Sequence, residues 1–148
     1  MFTTIIVGTD GSRPARNALK TGCDMAVAFG AKLHIVHAYQ ENPVAYAAGP
    51  SGAYHMPAPV AETEDLVAAA RALGDDARAE AQQAGCSDVE LHLCDGVAAT
   101  ALLERSETLG AGLIVMGRRG RGKLTQLIVG STCAKVMEKA GCACLTVT

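Results

Sequence analysis

Apolar positions along this chain follow two periods in turn. Short runs with a strand-like period of two alternate with longer segments whose apolar residues recur at helical spacing. Residues 4–9 form the first strand-like run, apolar and partly β-branched, and Asp10-Gly11 ends it as a turn pair. Ser12 is placed to cap a helix, Pro14 fits that helix's first turn, and Leu19, Cys23 and Ala26 mark its inner face. The helix runs to about Phe29, and Gly30 stops it. Residues 32–38 read as a second strand, with Leu33, Ile35 and Val36. Residues 60–84 read as a long helix with Leu66, Ala70, Leu73, Ala77 and Ala81 on one side; Gly74 weakens its middle and Gly85 ends it. Residues 89–94 alternate Val89, Leu91 and Leu93 with Glu90, His92 and Cys94, a strand with one more polar face, as near a sheet edge. Asp95-Gly96 turns into a helix over 97–109. A fourth strand over 111–116, a helix from Ser131 to about Ala140 and a strand over 143–148 complete the order.

This β-α-β-α-β-α-β-α-β order predicts one α/β domain. Crossovers between parallel strands are right-handed, so the product is an open five-stranded parallel sheet with helices on both faces. The 148 residues suit a single domain that hides ~68–70% of its unfolded surface. Composition agrees: 49% apolar, 19% charged and 3% aromatic residues describe a core of Ala, Val, Leu and Ile. Residues 40–59 break the pattern. They hold four of the five prolines and lie beside or include Tyr39, Tyr46 and Tyr54, as a surface loop or a lid over a ligand would.

Charge and cysteine usage narrow the function. A net charge of −2 argues against a general nucleic-acid binder. With neither a basic leader nor an apolar run of membrane length, no membrane association and a cytoplasmic location are expected. The six cysteines contain no C-x-x-C pair, so reduced thiols are expected and a metal site is not. Cys142 and Cys144 are two apart, so a strand would point them the same way, which leaves thiol sensing open. His34 and His37 alternate with apolar residues and read as structural.

The chemistry concentrates after the fourth strand. Residues 117–131 read G-R-R-G-R-G-K-L-T-Q-L-I-V-G-S and lead from a strand end into a helix N-terminus. Glycines admit backbone N–H groups close to an anion, and a helix start adds unpaired donors and about half a positive charge. Arg118, Arg119, Arg121 and Lys123 lie in the stretch, and no acid appears from Ala111 until Glu138. A nucleotide phosphate chain is the expected ligand. The Walker spacing fails because Leu124 stands where a magnesium-binding hydroxyl is needed, and G-x-G-x-x-G fails at Thr125. What remains is Gly117-x-x-Gly120, nine residues, then Gly130-Ser131.

That spacing, the I-I-V-G-T-D-G-S opening and the L-I-V-M-G-R-R-G-R-G run resemble the ATP-binding branch of the universal stress protein family over nearly the whole chain. The resemblance implies strand order 3-2-1-4-5, a Rossmann-like sheet of the adenine nucleotide alpha hydrolase type. It implies ATP as ligand, with Mg²⁺ as a possible companion, and a homodimer through the C-terminal edge strand. Reversal between strands 1 and 4 would open a crevice where Thr9, Asp10 and Gly11 meet Met116 and Gly117. Gly117, Gly120, Gly130 and Ser131 would hold phosphates, with Arg119 and Thr132 beside them. Asp10 would serve ribose hydroxyls or Mg²⁺, and the backbone of Ala38 would read the adenine edge. No catalytic residue is assigned: no base is placed for an attacking water, so turnover would be slow at most. Plainer readings stand beside these. Asp10-Gly11 can be only a turn, Ser131 only a helix cap, and the cations only solvated. The same fold can also be a nucleotide-free interaction module or a slow ATPase. Two departures from the family pattern stand out. Gly112 replaces a common Asp, and Cys142-Ala143 replaces a Cys-Pro pair that would restrain the turn before the last strand.

Overall fold

The computed structural model describes residues 2–40, 63–120 and 129–148. Five strands form one parallel sheet in the order β3-β2-β1-β4-β5. The strands are β1 (Thr4–Gly8), β2 (Lys32–Tyr39), β3 (Val89–Asp95), β4 (Leu113–Gly117) and β5 (Ala143–Val147). The helices are α1 (Arg13–Phe29), α2 (Thr63–Gln83), α3 (Ala98–Thr108) and α4 (Ser131–Lys139). Residues 41–59 of the expected loop over 40–59 and the first residues of the expected helix over 60–84 lie outside the described residues.

Local chemistry sets the element ends. Ser12 has extended backbone and its Oγ accepts the Ala15 N–H at 3.3 Å, the capping role its position predicts. Gly30 ends α1 in the left-handed region at φ 63, where its N–H reaches back to the last carbonyls. β1 ends one residue earlier than its apolar run, yet Thr9 still donates its N–H to Val36 O at 3.0 Å. β4 starts at Leu113 and not at residue 111, because the Ala111 N–H turns back to Ser106 O at 2.9 Å to close α3.

Two apolar layers sandwich the sheet. On one face Ile5, Val7, Leu33, Ile35, Leu113 and Val115 pack on α1 and α2 through Leu19, Cys23, Ala77 and Ala81. On the other, Ile6, Val36, Ile114 and Met116 pack on α3 and α4 through Ala99, Leu102, Cys133 and Val136. Alternating strand residues thus feed opposite layers, as the pleat requires. β1 lies between two partners, with Ile5, Ile6 and Val7 fully buried.

Packing explains several residues that look weak in sequence. Gly74 lies where α2 comes closest to β3: a Cβ there would stand 2.8 Å from Leu91 Cδ1. Gly112 is covered by Phe2, whose Cδ1 would lie 3.0 Å from a Cβ, so an Asp at this position would require that ring to move. Ala143 donates its N–H to Gly112 O at 3.2 Å, a bond that proline could not make. The turn before β5 is therefore tied by this bond, and is not the looser connection that loss of proline implies.

Gly22 sits in the middle of α1, where a Cβ would overlap Val7 Cγ2 in the fully buried strand. Gly22→Val is therefore expected to cost about 1–3 kcal/mol by overpacking. That corresponds to a fall in Tm of roughly 2–12 °C for a domain of this size. Thermal unfolding followed by circular dichroism checks it, and an unchanged Tm would contradict the close α1–β1 approach.

Candidate functional site

The site is built where β1 and β4 end side by side. Their register pairs Gly8 with Met116, and Gly8 also pairs with Val36 of β2. After β1 the chain must turn sharply into α1. Gly11 takes φ 76 there, and its N–H donates to Thr9 Oγ1 at 3.3 Å. Asp10 Oδ1 accepts the Ser12 N–H at 2.9 Å, so the carboxylate helps shape the turn. The Thr9 carbonyl accepts a hydrogen bond from His37 Nδ1 at 2.9 Å, which ties the end of β1 to β2 and puts a proton on that ring nitrogen. His37 is buried and structural, as its strand position predicts.

The other wall comes from β4 and α4. Gly117 closes β4 against the start of α1: a Cβ on it would stand 2.8 Å from both Ala15 N and Pro14 C. Only glycine permits this approach of strand end to helix start. Arg118 then anchors the chain on two sides. Its N–H donates to Val147 O at 2.6 Å, and its carbonyl accepts the Gly130 N–H at 2.9 Å. The second bond brings Gly130 beside Gly120, although ten positions separate them in sequence. A Cβ on Gly130 would lie 3.3 Å from Arg118 O, and one on Gly120 would lie 2.6 Å from Asp10 Oδ2. The spaced glycines are thus the contact points of three segments.

Gly130 is the N-cap of α4 and makes no side-chain capping bond. Ser131 is the first helical residue, so its sequence reading as a cap is corrected: the cap lies one residue earlier, where a backbone contact to Arg118 demands glycine. The first-turn N–H groups of α4 have no partner inside the helix and carry its positive end. Cys133 donates its thiol to Gly117 O at 2.9 Å and fastens this helix start to the strand end.

A pocket of ≈ 360 Å³ lies between these walls. Ten of the eleven residues singled out from sequence line it: Thr9, Asp10, Ala38, Met116, Gly117, Arg119, Gly120, Gly130, Ser131 and Thr132. Gly11 does not line it and serves the turn instead. Sequence reasoning missed the apolar bed of Val36, Ala98 and Leu102, which belongs to β2 and α3. The sequence predicts a helix over 97–109 but gives no means of aligning it with the crevice. The pocket is consequently two-sided. Its β2–α3 side is apolar, its β4–α4 side carries glycines and helix-start N–H groups, and Asp10 stands between them.

Arg118 also lines the pocket, and its Nε is buried without a hydrogen-bond partner among the described residues. Sequence grouped it with three other cations without distinguishing it. Arg121, Gly122 and Lys123 lie outside the described residues. No helix among the described residues is long and apolar enough to cross a membrane.

Burial raises the pKa of Cys133, Cys142 and Cys144, with neighbouring thiols adding to the effect at Cys133 and Cys144. The Cys144 thiol contacts Cys142 O at 3.8 Å, and both cysteines pack into the α3–α4 layer. A low-pKa reactive thiol shows the opposite shift.

A parallel sheet reversing between β1 and β4, with its pocket at their carboxyl ends, defines a doubly wound α/β protein with a crevice at the switch point. The particular family follows from comparison. The chain belongs to the universal stress protein family, whose sequence model matches residues 1–148. A universal stress protein from Thermus aquaticus is 35% identical over 147 residues, covering 99% of each chain. The solved structure of a universal stress protein in complex with cAMP is 28% identical, with a TM-score of 0.71 over 99% of this chain and 97% of that one. A universal stress protein from Archaeoglobus fulgidus, solved in complex with dAMP, shares the fold at 18% identity and a TM-score of 0.70, over 99% and 98% of the two chains.

The Gly117 contact gives a direct structural test. Gly117→Ala forces the α1 start away from β4 and is expected to cost about 1–3 kcal/mol, or roughly 2–12 °C in Tm. Gly141→Ala, where a Cβ meets nothing within 4 Å, serves as the control and should leave Tm nearly unchanged. Equal melting of the two variants would mean that Gly117 is not the close contact described.

Proposed function

We propose that this protein binds an adenine nucleotide, with ATP as its principal ligand, and works as a cytoplasmic homodimer that couples nucleotide occupancy to stress signalling. The observation that carries the reading is the two-sided pocket. Its apolar side fits a base, its glycine-lined side with the α4 N-terminus fits phosphates, and Asp10 between them fits the ribose. The buried, unpartnered Nε of Arg118 supports an anion on the β4 side. A relative's cAMP complex supports the adenine class.

Within this reading Ala38 presents backbone groups to the adenine edge while Val36 and Leu102 bed the ring. Gly117, Gly120, Gly130, Ser131 and Thr132 receive the phosphates, with Arg119 at the pocket wall. Met116 closes the floor. Mg²⁺ fits the donor set, since one carboxylate, Asp10, lines the pocket and such ions commonly combine one or two carboxylates with substrate phosphates and water. The ion would neutralise charge on the phosphates. Micromolar binding needs about −8 kcal/mol, more than one helix terminus supplies, so base burial and several donors must act together.

Hydrolysis is slow in this reading. Asp10 is the one carboxylate among the described lining residues, its Oδ1 already accepts the Ser12 N–H, and no histidine lines the pocket. That leaves no base poised for water. The dimer would form through β5, which pairs only with β4 among the described strands and so presents an edge.

Thermal unfolding of nucleotide-stripped protein with Mg-ATP tests the reading. At ~100 times the dissociation constant, binding adds about 2.7 kcal/mol, a rise on the order of 5–10 °C. Gly130→Val should abolish the rise, because its side chain enters the space beside Arg118 O. Parallel melts with AMP and cAMP rank the ligands. No rise with any of them would favour a nucleotide-free interaction module, and rapid release of phosphate lost in Asp10→Ala would favour an ATPase.

A further inference from the structure

His34, Glu90 and His92 stand together on the sheet edge formed by β2 and β3, apart from the nucleotide pocket. His34 shares a face of β2 with Val36 and Ala38 and lies four residues before Ala38, about 13 Å along the strand. Register pairs it with Glu90, and His92 is two residues further along β3 on the same face. His34 Nδ1 lies 2.9 Å from His92 Nε2. Glu90 completes a triangle, with Oε2 3.8 Å from His34 Nδ1 and Oε1 3.7 Å from His92 Nε2.

We propose that these three side chains form a binding site for a divalent late transition metal, with Zn²⁺ as the representative ion. Two imidazoles and one carboxylate are a donor set for Zn²⁺, Cu²⁺ or Ni²⁺, whereas Mg²⁺ and Ca²⁺ require oxygen cages. Metal–nitrogen bonds of about 2.0–2.1 Å in a tetrahedron place neighbouring ligand atoms roughly 3.3 Å apart. The nitrogens need to part by only a few tenths of an ångström, and the carboxylate oxygens need to approach by a similar amount.

In the metal-free protein a single proton lies between the facing nitrogens of the two rings. On binding, the ring that carries it holds its proton on the other nitrogen, and the metal takes the place between Nδ1 of His34 and Nε2 of His92. Burial, with a further push at His34 from His92, lowers the pKa of both rings. His34 is buried and the His92 side chain is only 11% exposed, while the Glu90 side chain is 50% exposed and supplies an entrance. The fourth position is left to water or another small ligand.

The charges around the cluster oppose the ion as well as favour it. Lys32 Nζ lies 3.0 Å from Glu90 Oε2 and 3.7 Å from Asp88 Oδ1, and Arg105 on α3 acts on His92. Lys32 therefore competes with the metal for the carboxylate. Binding would release Glu90 from Lys32 and staple the edge strand β3 to β2, so its consequence is stability of that edge.

The test is titration of the metal-free full chain under reducing conditions, with Zn²⁺ measured against a chromophoric indicator and Co²⁺ followed by its visible spectrum. The expected result is one ion per chain with the strong visible bands of tetrahedral Co²⁺. His92→Ala should weaken affinity by about tenfold or more, and Glu90→Gln, on an exposed side chain, should weaken it without loss of fold. Lys32→Ala should tighten it several-fold, a change that a purely structural histidine pair would not produce. Absence of binding at micromolar metal overturns the proposal. So does binding that survives both His92→Ala and Glu90→Gln but is lost in Cys142→Ser, which would place the ion on thiols.

Discussion

Everything in this structure depends on β1 having a strand on both sides. Its residues Ile5, Ile6 and Val7 have no exposure, and its backbone is paired to β2 on one side and β4 on the other. Right-handed crossovers then fix the rest. α1 carries the chain to β2 on one face, whereas α3 carries it from β3 across to β4 on the other. Helices leaving β1 and β4 therefore lie on opposite faces, and among the described residues no helix fills the space at their carboxyl ends. The pocket is a consequence of connection order before any pocket residue is chosen.

Side-chain size then decides how tightly that space is made. Gly117 and Gly22 both serve α1, one at its first turn and one at its middle, and each permits a distance that any Cβ would forbid. The approach of α1 to β4 keeps Pro14 and Ala15 beside Gly117, so the pocket wall and the helix packing are one contact. Gly130 repeats the arrangement from the other side, with its N–H on Arg118 O. A backbone-to-backbone contact is difficult to relax, because neither partner has a rotamer to change. At Gly22 it is the close Val7 side chain that accounts for glycine where helix propensity alone would favour another residue.

Sequence legibility follows the same division. Strand and helix order were readable because period-two and helical patterns are local, and Ser12, Gly30 and Gly85 act within a few residues of themselves. The glycine-side lining residues were legible because their spacing is itself a short-range signal. The apolar bed was not, since Val36, Ala98 and Leu102 carry no local signal of a site and only the sheet order sets them beside Thr9. His34 and His92 were hidden for a stronger reason. They are 58 residues apart, and only the register of β2 against β3 aligns their ring nitrogens. A shift of one residue would have turned His92 to the opposite face. Gly112 was legible as a departure from the family pattern, but its cause, the Phe2 ring over it, is a tertiary contact.

The two edges of the sheet meet different fates for related physical reasons. At β3 the edge face carries His92 and Glu90, held by His34 and Lys32 from the neighbouring strand. A polar, partly charged edge resists pairing with another chain. At β5 the outermost strand is Ala-Cys-Leu-Thr-Val, with no charge, and Leu145 and Val147 pack only partly into the α1 layer. Its one described strand partner is β4, and Asn17 of α1 fastens only its far end, through a 2.8 Å bond to Thr148 O. An uncharged strand with free edge groups is the more favourable place to add a second chain. The asymmetry also reaches the pocket, because Val147 O accepts the Arg118 N–H. A change in β5 position therefore acts on the same residue whose carbonyl holds Gly130. The edge strand and the Gly130 contact thus meet at one residue, Arg118, and under the proposed function this is the short physical route between pocket and sheet edge.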